Sequence, residues 1–109
     1  MSVRISILES YLNEDPHDEF LRYALALEYK ELGNFQLAYD HFLTLREQHP
    51  DYLPIYYMAG KTAEDLQLFT EALEWYSAGG IIAIRLGNGK TLNELNSAAQ
   101  MLIDEMSEE

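Results

Sequence analysis

The amino-acid sequence predicts an all-α repeat fold of about six helices, and three observations predict it. Sliding the chain of 109 residues along itself by 34 residues brings like residues together. Between breaks of glycine, asparagine and proline, apolar residues recur at steps of three and four, as they do in amphipathic helices. Apolar residues make up 48% of the chain and are spread along it, which is typical of a globular protein. We therefore expect residues 1–109 to form one domain.

The 34-residue period is carried by many pairs of like residues. The pairs are Pro16 and Pro50, Leu21 and Ile55, Tyr23 and Tyr57, Ala26 and Gly60, Leu32 and Leu66, Phe35 and Phe69, and Ala38 and Ala72. A series of three, Leu8, Phe42 and Tyr76, follows the same step. Residues 2–14 are therefore in phase with the second helix of a repeat, and we expect them to form a half repeat.

Repeat one is expected at residues 18–50, with two helices separated by Gly33 and Asn34. Glycine closes a helix well because it takes the left-handed conformation without a side-chain clash. The two helices should bury these stripes: Leu21, Leu25, Tyr29 and Leu32 in the first, and Phe35, Ala38, Phe42 and Leu45 in the second. The second helix should stop before Pro50.

Repeat two is expected at residues 52–86, with Pro54 in the first helical turn, where a missing amide hydrogen costs nothing. Its stripes are Ile55, Ala59, Ala63 and Leu66, followed by Phe69, Ala72, Leu73 and Tyr76. Because no proline stands near residue 84, the helix that starts around Thr70 should run to about Leu86, one turn longer than its counterpart. Gly79 and Gly80 lie inside it, which favours a close crossing with the last helix over a functional hinge.

A C-terminal capping helix is expected at residues 91–106. Thr91 and Glu94 have the spacing of a capping box, in which the two side chains satisfy free amides at a helix start. The apolar stripe of this helix is Leu92, Leu95, Ala99, Leu102 and Met106.

The pattern of the repeats resembles the tetratricopeptide repeat family. Repeat one carries the resemblance at Leu25, Ala26, Tyr29, Gly33, Phe35, Ala38, Phe42 and Pro50. It departs from the family at Arg22, where a large aromatic residue is usual. Repeat two departs from it at Ala63, Gln67 and Ile84, which replace the tyrosine, the turn glycine and the closing proline. The resemblance implies antiparallel helix pairs stacked in a right-handed superhelix, and a non-catalytic module that binds protein.

In this family the first helix of each repeat lines a concave groove, which implies the site residues. The candidates for a partner-binding groove are Phe20, Tyr23, Leu27, Lys30, Tyr57, Lys61 and Glu64. Tyrosine offers flat contact area at low entropy cost. We therefore expect a peptide with an apolar or aromatic anchor beside a carboxylate. The alternative is that Tyr23 and Leu27 are covered by the N-terminal helix or by Tyr57. Family members that clamp a C-terminal carboxylate use asparagine and lysine at slots held here by Leu27, Tyr23 and Met58, so that clamp is not expected.

Composition and spacing argue against other functions. A formal charge of −12 disfavours nucleic acid and anionic membranes as partners. With no cysteine, and with His17, His41 and His49 outside any metal-binding spacing, we expect no metal, no cofactor and no catalysis. The sequence from Gly87 to Thr91 lacks the full spacing of a phosphate-binding loop. With no signal peptide evident at the N-terminus, we expect a cytoplasmic protein. The competing hypothesis is a structural repeat domain, a spacer or scaffold, that assembles as a homo-oligomer.

Overall fold

The computed structural model describes residues 2–108, and these residues form six α-helices joined by short segments. The helices are α1 (Val3–Glu14), α2 (Glu19–Glu31), α3 (Phe35–Gln48), α4 (Pro54–Asp65), α5 (Phe69–Arg85) and α6 (Gly89–Ser107). The chain divides into two compact units, one ending at Ile55 and the other beginning at Tyr56. The all-α prediction of about six helices is confirmed.

The first unit consists of α1 to α3 and the start of α4. One of its core clusters lies between α1 and α2, with Ile5, Leu12 and Leu25 buried and with Leu8, Leu21 and Tyr29 packed against them. On the other side of α2, the buried face of α3 carries Ala38, Tyr39, Phe42 and Leu45. The second helix, α2, therefore packs against a neighbour on each side.

In the second unit, small residues let the helices approach closely. A side-chain carbon added to Gly60 of α4 would collide with the ring of Tyr76 in α5. One added to Gly79 of α5 would lie 2.5 Å from Cβ of Tyr56 in α4 and 3.0 Å from Leu95 in α6. The glycines of α5 thus mark a close crossing, as the sequence predicted, although Gly79 is crowded most by α4.

Three of the turns between helices use a residue in the left-handed conformation. Gly33 has φ of 80° and Gly87 has φ of 69°, and each is followed by an asparagine that caps the next helix. The third turn has Gln67 at φ of 62°, followed by Leu68, which makes no side-chain capping bond. This turn therefore holds backbone strain that glycine would avoid.

Two helix ends predicted from the sequence differ in their outcome. As expected, α5 runs through Ile84 and is longer than its counterpart, with 17 residues against 14 in α3. The capping box at Thr91 and Glu94 is wrong, because α6 begins at Gly89. Its cap is Asn88, whose side chain accepts a hydrogen bond from the Thr91 amide at 3.0 Å.

Some predicted core residues lie on the surface. Leu32, Phe69 and Met106 are exposed because they sit at or next to helix ends, where none of the helices within residues 2–108 covers them. In α6, Ala98 is buried and Ala99 is only partly buried, so the buried face of the helix is shifted toward Ala98.

Candidate functional site

In the first unit, the four predicted groove residues of α2 differ in exposure. Phe20 is the most open, with 66% of its surface accessible, whereas Tyr23, Leu27 and Lys30 are half-buried. Lys30 places its ammonium group 5.9 Å from the centre of the Phe35 ring, an arrangement suited to a cation–π attraction.

Phe20 and Tyr23 both contact Tyr52, which precedes α4. The ring centres of Phe20 and Tyr52 lie 5.9 Å apart, and those of Tyr23 and Tyr52 lie 5.7 Å apart, both edge to face. Tyr23 also contacts Phe42. Burial, together with the neighbouring Tyr52, raises the pKa of Tyr23 to about 12. Its hydroxyl is therefore protonated at neutral pH. Tyr52 is a cover for Tyr23 that the sequence did not suggest.

In the second unit, Tyr57, Lys61 and Glu64 of α4 lie close to Tyr76 of α5. The Tyr76 hydroxyl donates a hydrogen bond to Glu64, and its ring centre lies 6.3 Å from that of Tyr57. Lys61 Nζ lies 3.8 Å from Oε2 of the same carboxylate. Burial, followed by the bond to Glu64, raises the pKa of Tyr76, which keeps the hydroxyl protonated as a donor. Glu64 is thus engaged within the protein.

Tyr57 and Lys61 also line an open pocket between α4 and α6, called here the α4–α6 pocket, with a volume of about 310 Å³. From α6 the pocket is lined by Asn93, Glu94, Ser97, Ala98 and Met101. Tyr57, Ala98 and Met101 supply apolar surface, Lys61, Asn93 and Ser97 supply hydrogen-bond donors, and Glu94 supplies a carboxylate. This arrangement can hold a side chain while donating hydrogen bonds to carbonyl or carboxylate oxygens.

The α6 residues of this pocket were missed at the sequence level, since α6 was interpreted only as a cap. A signal was present: Asn93, Ser97 and Met101 stand four residues apart and so share one helix face next to the core stripe.

The described part of the chain has no helix long and apolar enough to cross a membrane. Within that same part, no group of three histidine or acidic side chains is placed to hold a metal ion.

The fold and these surfaces define a helical repeat module, and comparison with solved structures gives its family. The crystal structure of a tetratricopeptide repeat domain protein from Salinibacter ruber is 37% identical, covering 80% of this chain and 97% of that chain, with a TM-score of 0.75. The chain therefore belongs to the tetratricopeptide repeat family. No protein-family model and no curated protein matches it.

Two further structures share the fold at lower identity. A protein from Bordetella parapertussis is 24% identical, with a TM-score of 0.86 and coverage of 100% of this chain and 95% of that chain. The TPR2B domain of yeast Sti1, solved in complex with pHsp70, is 16% identical, with a TM-score of 0.86 and coverage of 93% of this chain and 81% of that chain. At these identities the two structures show a shared fold alone.

Proposed function

We propose that the protein is a non-catalytic binding module that holds an extended segment of another protein in the α4–α6 pocket. The observation that carries this proposal is the pairing, across one open pocket, of Tyr57 and Lys61 on α4 with Asn93, Ser97 and Met101 on α6. Membership of the repeat family supports it. So does the Sti1 domain, a structural neighbour that was solved with a partner, pHsp70.

The chemistry of the pocket favours a particular kind of segment. An apolar or aromatic side chain would lie against Tyr57 and Met101, where burial of apolar area stabilises the complex. Backbone carbonyl or carboxylate oxygens of the segment would accept hydrogen bonds from Asn93 and Lys61. The Glu64 carboxylate already accepts a hydrogen bond from Tyr76, and its contact with the partly exposed Lys61 is long, at 3.8 Å. Such a contact is weak, so the Lys61 ammonium group can still donate to a bound segment.

Phe20 is an exposed aromatic residue of the first unit, and we propose it as a second contact residue. Its ring is held edge-on by Tyr52, and the two aromatic rings therefore give a preformed surface. A preformed aromatic contact costs little conformational entropy on binding. We propose that this aromatic surface of the first unit is a protein contact in its own right.

A peptide-display selection tests the proposal without a known partner. Random peptides displayed on phage are selected on the immobilised wild-type chain, and enriched peptides are measured on Ser97→Phe, which fills the pocket. The control is Ser77→Phe, because Ser77 is an exposed residue of α5 outside the pocket. Peptides should bind wild type and the control, and should bind Ser97→Phe at least about tenfold more weakly.

The double substitution of Tyr57 and Lys61 by alanine gives a second measurement. It removes an aromatic wall and a donor, so binding should fall by more than about tenfold while circular dichroism still shows a folded helical chain. A selection that enriches no peptide, or peptides that bind all variants alike, would contradict the proposal.

A further inference from the structure

Arg22 departs from the repeat pattern, and the same position in repeat two shows what the departure changes. Arg22 and His41 correspond in the 34-residue period to Tyr56 and Trp75. The rings of Tyr56 and Trp75 pack on each other and are enclosed, with 2% and 1% of their surfaces exposed. Arg22 and His41 are only half-buried. Two polar side chains in place of two aromatic ones therefore leave this part of the first unit open.

Arg22 and His41 line an open pocket of about 450 Å³, called here the Arg22 pocket. The opposite wall is formed by α1 and the segment that follows it, with Glu9, Leu12, Asn13 and Pro16. All of these residues belong to the first unit. The Arg22 pocket shares no residue with the α4–α6 pocket.

The guanidinium group of Arg22 has only neutral partners. Nη1 lies 3.0 Å from Nδ1 of His41, and Nη2 donates to the Pro16 carbonyl at 3.1 Å. Because arginine only donates hydrogen bonds, Nδ1 of His41 accepts this one, and the ring is therefore neutral. Among the ion pairs of residues 2–108, none includes Arg22. A partly buried charge without a counter-charge costs free energy.

The same guanidinium group has more N–H donors than the protein uses. Nη1 and Nη2 each keep a second N–H beyond the bonds to His41 and Pro16. The Nε atom is buried and has no hydrogen-bond partner among the described residues. Burial also lowers the pKa of Arg22, so its surroundings disfavour the charge. An anion in the pocket would supply both the acceptors and the counter-charge.

The wall of the pocket favours an anion with one charge and a short apolar body. Glu9 accepts a hydrogen bond from Tyr29 at 2.9 Å, which stabilises its ionised form. Its negative charge repels a multiply charged anion more strongly than a carboxylate. Leu12 and Pro16 supply apolar surface, and the Asn13 amide can donate a hydrogen bond. A carboxylate also matches the planar geometry of a guanidinium group.

We propose that the Arg22 pocket binds a carboxylate attached to a short aliphatic chain. The carboxylate oxygens accept hydrogen bonds from Arg22 and from the Asn13 amide, and the chain lies against Leu12 and Pro16. A free aliphatic acid and the glutamate side chain of another protein share this chemistry. The site is separate from the α4–α6 pocket and does not depend on peptide binding there.

Two matched pairs of ligands test the proposal by ¹H–¹⁵N NMR of the wild-type chain at constant ionic strength. Isovalerate, a free acid, is compared with uncharged isovaleramide. N-acetyl-glutamate N-methylamide, which represents a glutamate side chain, is compared with its glutamine counterpart. The carboxylates should shift the Arg22 Nε–H signal and the backbone amide signals of Leu12 and Asn13, with half-saturation at about 1–10 mM. The uncharged compounds should bind at least about tenfold more weakly. The carboxylate that binds more tightly identifies the source that the pocket prefers.

Two variants locate the binding. Arg22→Gln removes the charge, and Arg22→Tyr combined with His41→Trp fills the pocket with the pair that repeat two carries. Both variants should stay helical by circular dichroism, and the carboxylates should no longer shift their Leu12 and Asn13 amide signals. Arg4→Gln is the control, because Arg4 is an exposed arginine of α1 that pairs with Glu28 outside the pocket. It should bind the carboxylates as wild type does.

Three results would overturn the proposal. The first is an equal response to the acids and to their uncharged counterparts. The second is carboxylate binding that survives in Arg22→Gln, and the third is the lack of any shift at up to about 100 mM ligand. Peptide binding in the α4–α6 pocket is measured separately on Ser97→Phe, so either proposal can fail while the other holds.

Discussion

The same two positions of the repeat hold a polar pair in one half of the molecule and an aromatic pair in the other. In the first repeat, Nη1 of Arg22 lies 3.0 Å from Nδ1 of His41, and Nη2 donates to the Pro16 carbonyl. In the second, Tyr56 packs on Trp75 with ring centres 5.7 Å apart. The period therefore determines where two helices meet, whereas the residues at the contact determine what holds them together.

The aromatic pair should contribute more to stability than the polar pair. Trp75 keeps only 1% of its surface exposed, so Trp75→Ala should lower the free energy of unfolding by about 3–5 kcal/mol, through lost burial and a cavity. His41→Ala should lower it by about 1 kcal/mol, because His41 is half-buried and Arg22 keeps its bond to Pro16. Urea unfolding followed by circular dichroism measures both. Equal losses would show that the two contacts are energetically alike.

The turns within the two helix pairs give a second comparison. Gly33 and Asn34 provide a left-handed glycine and a capping side chain, and Gln67 and Leu68 provide neither. Replacing Gln67 with glycine and Leu68 with asparagine should therefore raise the free energy of unfolding by about 1–2 kcal/mol. The matched control replaces Gly33 with glutamine and Asn34 with leucine, and it should lower the free energy of unfolding. An unchanged melting temperature in both variants would contradict this account of the turns.

The stability that the Arg22–His41 pair contributes should also depend on pH. Of the three predicted effects on the free energy of unfolding, this one should be the smallest. Burial, followed by the Arg22 charge, lowers the pKa of His41, and these effects outweigh Asp40 and Glu9, which raise it. As the pH falls through the ordinary histidine pKa of 6.5, the unfolded chain takes up a proton that folded His41 resists, so stability is lost.

His41→Gln removes this contribution. Between pH 7 and about pH 5 it should lose less stability than wild type in urea unfolding. If His41→Gln and wild type lost the same stability over this pH range, His41 would not be the source of the pH dependence.

The fold could be predicted from the sequence because two signals agree: the 34-residue period gives the length of the repeat, and the apolar stripes give the two helices within it. The errors came at helix ends. Asn88 follows Gly87 as Asn34 follows Gly33, so the first repeat already contained the pattern that places the start of α6. The chain's preference for that cap over Thr91 depends on the backbone geometry of the turn, which spacing alone does not encode.

The candidate site was harder to predict, because it depends on which helices share a pocket. Tyr57 and Lys61 were predicted as site residues from their register, whereas the α6 residues that line the same pocket were not predicted. The bond from Tyr76 to Glu64 joins residues on two helices, and sequence separation gave no indication of it. In α1, the exposure of Ile7 and Tyr11 was equally hidden, because an apolar residue looks the same in a sequence whether or not a helix covers it.

Trp75 is the only tryptophan of the chain, and it lies in the second unit. Its fluorescence therefore reports on that unit alone, whereas circular dichroism records helices in both. Unfolding curves from the two signals would coincide if the units melt together and would separate if they melt in turn. The position of one indole ring thus gives the protein a built-in optical measure of cooperativity between its halves.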